Sequence, residues 1–198
     1  MMPTEVSAVD GASPVSAASN CWTRAYIPTC FEAGSAPSSD LIGALINFGG
    51  GAVECTVNLS SNSKTLRTTG FGFQIPTTPP ATINGVLVRI RRLTSGEPGD
   101  KNHDKSVRLL KDRAPTGEDY AAAGEAWIGF KKDDACDPNK GSHTYGACND
   151  TWDAQWSVAD INAAGFGVDF VAHNNYPSGN AGSSAYVDYV QIMVYFCE

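Results

Sequence analysis

Glu118, Asp119 and Glu125 are the residues whose type best suits acid–base work on a glycosidic bond. That chemistry needs two carboxyl groups facing each other across the bond. Their spacing does not impose such a pair, so no catalytic role is assigned to them. The sequence contains no G-x-S-x-G, no H-E-x-x-H and no phosphate-binding glycine loop. His103, His143 and His173 fall in polar turns or at a strand end, where a solvated imidazole is expected. Two acidic groups, Asp100 with Asn102 and Asp104, and Asp133, Asp134 and Asp137 with Asn139, offer the oxygen ligands that Ca²⁺ takes. Neither has the spacing of a calcium loop, so both read as solvated turns, and no metal or other cofactor is expected.

Binding chemistry has more candidates. Arg89, Arg91, Arg92, Arg108, Lys111 and Arg113 bring together about half of the 14 basic residues. The first three form a stripe that suits an acidic partner, against the alternative of a solvated sheet face balanced by neighbouring carboxylates. Trp22, Trp127, Trp152 and Trp156 have the ring faces that stack on sugars, although Trp152 and Trp156 flank a capped turn and read more naturally as core. Six cysteines, Cys21, Cys30, Cys55, Cys136, Cys148 and Cys197, lack the close pairs of a zinc site. Cys136 and Cys148 bracket a polar loop that burial alone would not hold, so a disulfide is expected there. Cys21 with Cys30 is the next pairing by the same reasoning, leaving Cys55 with Cys197.

The net charge of −7 disfavours nucleic acid and anionic membrane as partners, because both require a basic face. No apolar run is long enough to cross a membrane. The first residues have neither a basic stretch nor an apolar core, so no signal peptide is legible. An even number of cysteines without such a signal suits a protein made inside a cell that works outside it. Asn58-Leu59-Ser60 and Asn149-Asp150-Thr151 match the glycosylation sequon and are set aside for the same lack of a secretory signal.

The elements that position these residues read as strands. In VLVRIRRL, Val86, Val88 and Ile90 point one way while Leu87, Arg89 and Arg91 point the other. Upstream, Phe71, Phe73 and Ile75 have strand spacing, and Pro76, Pro79 and Pro80 end that run. Asn84-Gly85 is a turn dipeptide, so these two runs predict a central hairpin of strands joined by a Pro-rich bend. AVECTVNLS, SVRLLKD and FGVDFVAH also alternate, and a short strand is expected around Trp127 to Phe130. In AYVDYVQIMVYF, Val190, Ile192, Val194 and Phe196 share a face, and Val187 and Tyr189 are out of phase with them. That mismatch predicts a bulge near Asp188 or Tyr189, or burial on both faces. Ser157 three residues before Asp160 predicts one capped helical turn. LIGALINF suits either a helix capped by Asp40 or a buried strand.

These patterns predict an all-β, antiparallel, jelly-roll-like sandwich over residues 51–198, with few short helical turns. Residues 1–50 read as an extended arm and irregular segment. GFGFQIP, ATINGVLVRIRR, WSVADINAAGFGV and AYVDYVQIMVYF, in that order, resemble a β-sandwich domain of tailed-phage virion structural proteins. The resemblance implies a non-enzymatic protein on the exterior of a virion, most concretely a capsid decoration (cement) protein. Its expected partners are the major capsid protein or another virion protein, together with further copies of itself in a symmetric oligomer. The alternative is a tail or fibre component that binds a host surface glycan. Trp22, Tyr26, Ile27 and Phe31 in the arm, with Arg89, Arg91 and Arg92, are the expected partner contacts.

Overall fold

The computed structural model describes residues 23–25, 43–47, 52–58, 60–77, 81–94, 102–122, 124–129, 140–175 and 183–197. Its strands are β1 (Thr23–Ala25), β2 (Gly43–Asn47), β3 (Ala52–Val57), β4 (Leu66–Thr69) and β5 (Thr82–Thr94). After these come β6 (Asn102–Lys111), β7 (Ala114–Thr116), β8 (Ser142–Gly146), β9 (Gly167–Asn174) and β10 (Ser183–Cys197), with helix α1 (Val158–Asn162) before β9. Among the described residues, six strands form one sheet, ordered β1-β3-β10-β5-β8 with β2 also on β10. Four strands form the other, ordered β4-β9-β6-β7. Every strand pair is antiparallel. The fold is therefore the expected all-β sandwich.

The core lies between the sheets, because alternation sends one side of each central strand inward. Val86, Val88 and Ile90 of β5 and Val190, Ile192, Val194 and Phe196 of β10 meet Val107 and Leu109 of β6 and Val168 and Phe170 of β9. The predicted bulge is present. The β5–β10 register slips between Val187 and Tyr189, which returns Val187 to the inner face. LIGALINF contributes strand β2 rather than a helix.

Two expectations about the chain between Leu66 and Leu93 are corrected. β4 and β5 do not pair with each other; they belong to different sheets. The chain crosses between the sheets over 70–76, where Gly70 and Gly72 adopt left-handed backbone (φ +76° and +72°) that breaks a ladder. Phe71, Phe73 and Ile75 still alternate inward, but Ile75 takes its partners from a side chain. Asn162 Oδ1 accepts from its N–H and Asn162 Nδ2 donates to its carbonyl, both at 2.9 Å. Nor is Asn84-Gly85 a turn. It lies inside β5 at a second register slip, where Tyr195 faces Gly85 and Phe196 faces Ile83. Gly85 is required there by contact: a Cβ would sit 2.5 Å from the Ala147 carbonyl oxygen and the Cys148 carbonyl.

The strand expected from Trp127 to Phe130 reduces to one parallel bridge, Gly129 to Thr94. Both β1 and β2 precede residue 51 yet hydrogen-bond into the six-stranded sheet.

Candidate functional site

Arg92 follows Val88 and Ile90 on the inner face of β5, so its charge enters the sandwich. Asp104 of β6 meets it, with Nε to Oδ1 at 2.7 Å and Nη2 to Oδ2 at 3.2 Å. The same carboxylate accepts from Trp127 Nε1 at 2.9 Å, Tyr145 OH at 2.8 Å and the Ala122 N–H at 3.3 Å. The Arg92 guanidinium also lies 5.8 Å from the Trp127 ring centroid. Burial, reinforced by the negative charge of Asp104, holds the Tyr145 phenol well above the ordinary tyrosine range, so Tyr145 remains a donor. Asp104 thus ties both sheets to Ala122 and Trp127 in the chain after β7.

These contacts correct several sequence expectations. Arg91 and Arg92 are not a contact stripe, because both are buried. Arg91 pairs with Asp188, the bulge residue, at 2.6 Å and donates from Nε to the Lys140 carbonyl. Arg89 is half-buried. Arg108 Nη2 donates to the Gly117 carbonyl at 2.7 Å, and Lys111 pairs with Asp160 at 2.8 Å. Asn102 and Asp104 are not in a solvated turn; they are inward residues of β6 already committed to protein partners. Among the described residues no group of three or more His, Cys, Asp or Glu could hold a metal ion.

Asp104 cannot serve as a general base, since five donors occupy its two oxygens and its side chain is 0% exposed. Asp119 builds a turn, accepting from Ser106 Oγ and from the N–H groups of Val107 and Ala121. Glu125 is exposed, 3.1 Å from His143 Nδ1 and 3.6 Å from Arg92 Nη2. His173 Nδ1 lies 2.8 Å from Asn62 Oδ1.

The cysteine framework also differs. Cys148 is an exposed free thiol, so it is not bridged to Cys136. The pairing of β8 with β5 and the packing of 147–148 on Gly85 hold that end of the loop instead. Cys55 is buried and disulfide-bonded to a partner outside the described side chains. Cys21, Cys30 and Cys136 lie outside the described residues, as do the arm contacts Trp22, Tyr26, Ile27 and Phe31 and the acidic positions Asp100, Asp133, Asp134, Asp137 and Asn139.

The aromatic residues divide. Trp127 and Trp152 are fully buried. Trp156 is half-buried, its Nε1 donating to the Thr151 carbonyl and its ring edge-on to Phe166. Beside them is an aromatic that the sequence did not single out. Tyr120 is half-buried, and its ring meets Trp152 edge-on at 4.6 Å. Asp150 beside its phenol, with burial and the nearby carboxylates of Glu118 and Asp153, pushes its pKa up to about 12.

Trp152 and Asp153 both adopt left-handed backbone, with φ +58° and +50°. A bulky residue held there is an outlier that the surroundings must enforce. Here Asp150 Oδ1 accepts the Trp152 N–H at 2.7 Å, Trp152 Nε1 donates to the Val86 carbonyl at 2.8 Å, and Glu118 N–H donates to the Trp152 carbonyl at 2.7 Å. Gly117 admits that carbonyl, which a Cβ would meet at 2.1 Å. The result is a rigid shelf of Tyr120 on Trp152, edged by Asp150, Asp153 and Glu118.

No family model matches the chain, and no curated protein does. Among solved structures, a xylan-binding module, CBM15, is similar at 12% identity and a TM-score of 0.23, over 92% of this chain and 95% of that one.

Proposed function

We propose that this β-sandwich is a non-catalytic carbohydrate-binding domain and that a sugar ring stacks on the Tyr120 shelf. One observation carries the reading: a half-buried ring is packed edge-on against Trp152 at 4.6 Å, with Asp150 beside its hydroxyl. A pyranose has an apolar C–H face and a rim of hydroxyls. A fixed aromatic plane bordered by carboxylate acceptors complements both parts at little cost in side-chain ordering.

The test is electrophoresis through gels containing one soluble polysaccharide each, across neutral β- and α-linked classes. At least one polysaccharide is expected to retard the protein. Tyr120→Ala is expected to abolish the retardation while the melting temperature stays within a few degrees. Unretarded migration in every gel, or full retardation of Tyr120→Ala, would overturn the assignment. Decoration of a phage capsid is a separate proposal that draws no support from the structural likeness above. Its arm contacts lie outside the described residues, and immunogold labelling of particles would decide it.

A further inference from the structure

Resting on that reading, we infer that the Tyr120 shelf selects glycans by charge, admitting neutral and amino-sugar chains and rejecting chains that bear uronates or sulfates. Three carboxylates lie near the phenol. Asp150 lies beside the phenol and accepts the Trp152 N–H. Glu118 is anchored by its own N–H on the Trp152 carbonyl, and Asp153 follows Trp152 in the strained backbone. Glu118 and Asp153 are exposed, and each lies within two residues of Tyr120 or Trp152 in the chain. The negative charge of all three is felt at the phenol, where each disfavours its ionisation.

Three cations on neighbouring elements are committed elsewhere, while Lys105 and Arg113 are exposed. Arg92 is buried against Asp104, Lys111 is paired with Asp160, and Arg108 donates to the Gly117 carbonyl. The net charge of −7 extends the same bias to the approach. Like charges a few ångströms apart at a solvated surface repel enough to shift affinity on the order of tenfold, and salt screens that repulsion.

The experiment uses the full chain and three oligosaccharides of matched length: a neutral glycan retained in the gel screen, a glucosamine oligomer with protonated amines, and a galacturonate oligomer. Affinities are measured by calorimetry at about 0.01 M and about 1 M salt, where screening is weak and strong respectively. At low salt the uronate chain is expected to bind at least tenfold more weakly than the neutral one, and the amine chain at least as tightly. The gap is expected to close at high salt. It is also expected to narrow in the double variant Glu118→Gln/Asp153→Asn, which keeps both shapes and a residue that tolerates left-handed backbone. A uronate chain that binds as tightly as the neutral one at low salt, or a gap unmoved by the double variant, would overturn charge selection and leave sugar binding standing. Failure of all three oligomers to bind would overturn sugar binding itself.

Discussion

Asp104 shows how one side chain decides what this sandwich can do. A buried ion pair is weak support for stability in itself, yet removing one partner strands the other charge in the interior. Asp104→Asn would leave the Arg92 guanidinium with only the exposed Glu125, 3.6 Å away, as counter-charge and turn a donor toward donors. Urea denaturation is expected to show a loss of about 3–5 kcal/mol, the range for a broken buried pair. A change within about 0.5 kcal/mol, typical of surface sites, would mean that Arg92 reaches solvent after all. Part of this was legible in the sequence. Arg92 is in phase with Val86, Val88 and Ile90, so strict alternation places it inside. The turn-like run of charges and glycines before Asp104 concealed its partner, and nothing local to EDYAAAG marks Tyr120 as the half-buried ring of the shelf, since Trp152 arrives from thirty-odd residues away.

The elements were more legible than the contacts between them. The Ser157 capping box is present in full: Ser157 Oγ accepts the Asp160 N–H, and Asp160 Oδ2 accepts the Ser157 N–H. Such a motif lies within four residues, so sequence alone suffices. The Asn-Gly bulge could not be read that way, because Gly85 answers to the 147–148 backbone far along the chain. Asp160 also ties the turn to β6 through Lys111. Burial opposes ionisation of Asp160, but the hydrogen bonds from Lys111 and Ser157 outweigh it and hold the carboxyl below its ordinary value. A carboxyl depressed on folding contributes stability that is present above its unfolded pKa, near 4, and lost as pH falls through the folded value. Asp160→Ala is expected to cost about 1 kcal/mol at neutral pH, as for a lost cap. The difference between variant and parent should shrink below about pH 4. Urea midpoints at both pH values check this, and a difference that persists undiminished in acid would show that the ion pair and cap are not its source.

At the scale of the molecule, the sandwich was legible because period-2 patterns recur across the chain, whereas the partition of strands between sheets was not. Alternation reports which face of a strand is buried and says nothing about its neighbour, so β4 and β5 read as a hairpin although they lie in opposite sheets. The same blindness drew a boundary at residue 51. Sheet pairing ignores it: β2 covers β10 from Tyr189 to Met193, and β1 covers β3 from Ala52 to Glu54. Deleting residues 1–50 would therefore remove two strands and leave five consecutive positions of β10 with an unpaired edge, beside the β5 ladder. An uncovered edge of that length on a central strand is a template for pairing with another chain. The truncated protein is expected to melt several degrees lower and to self-associate as its concentration rises, measured by light scattering beside the full chain. A truncated form that stays monomeric with an unchanged melting temperature would show that β10 needs no partner on that side and that the sheet is complete from β3 onward.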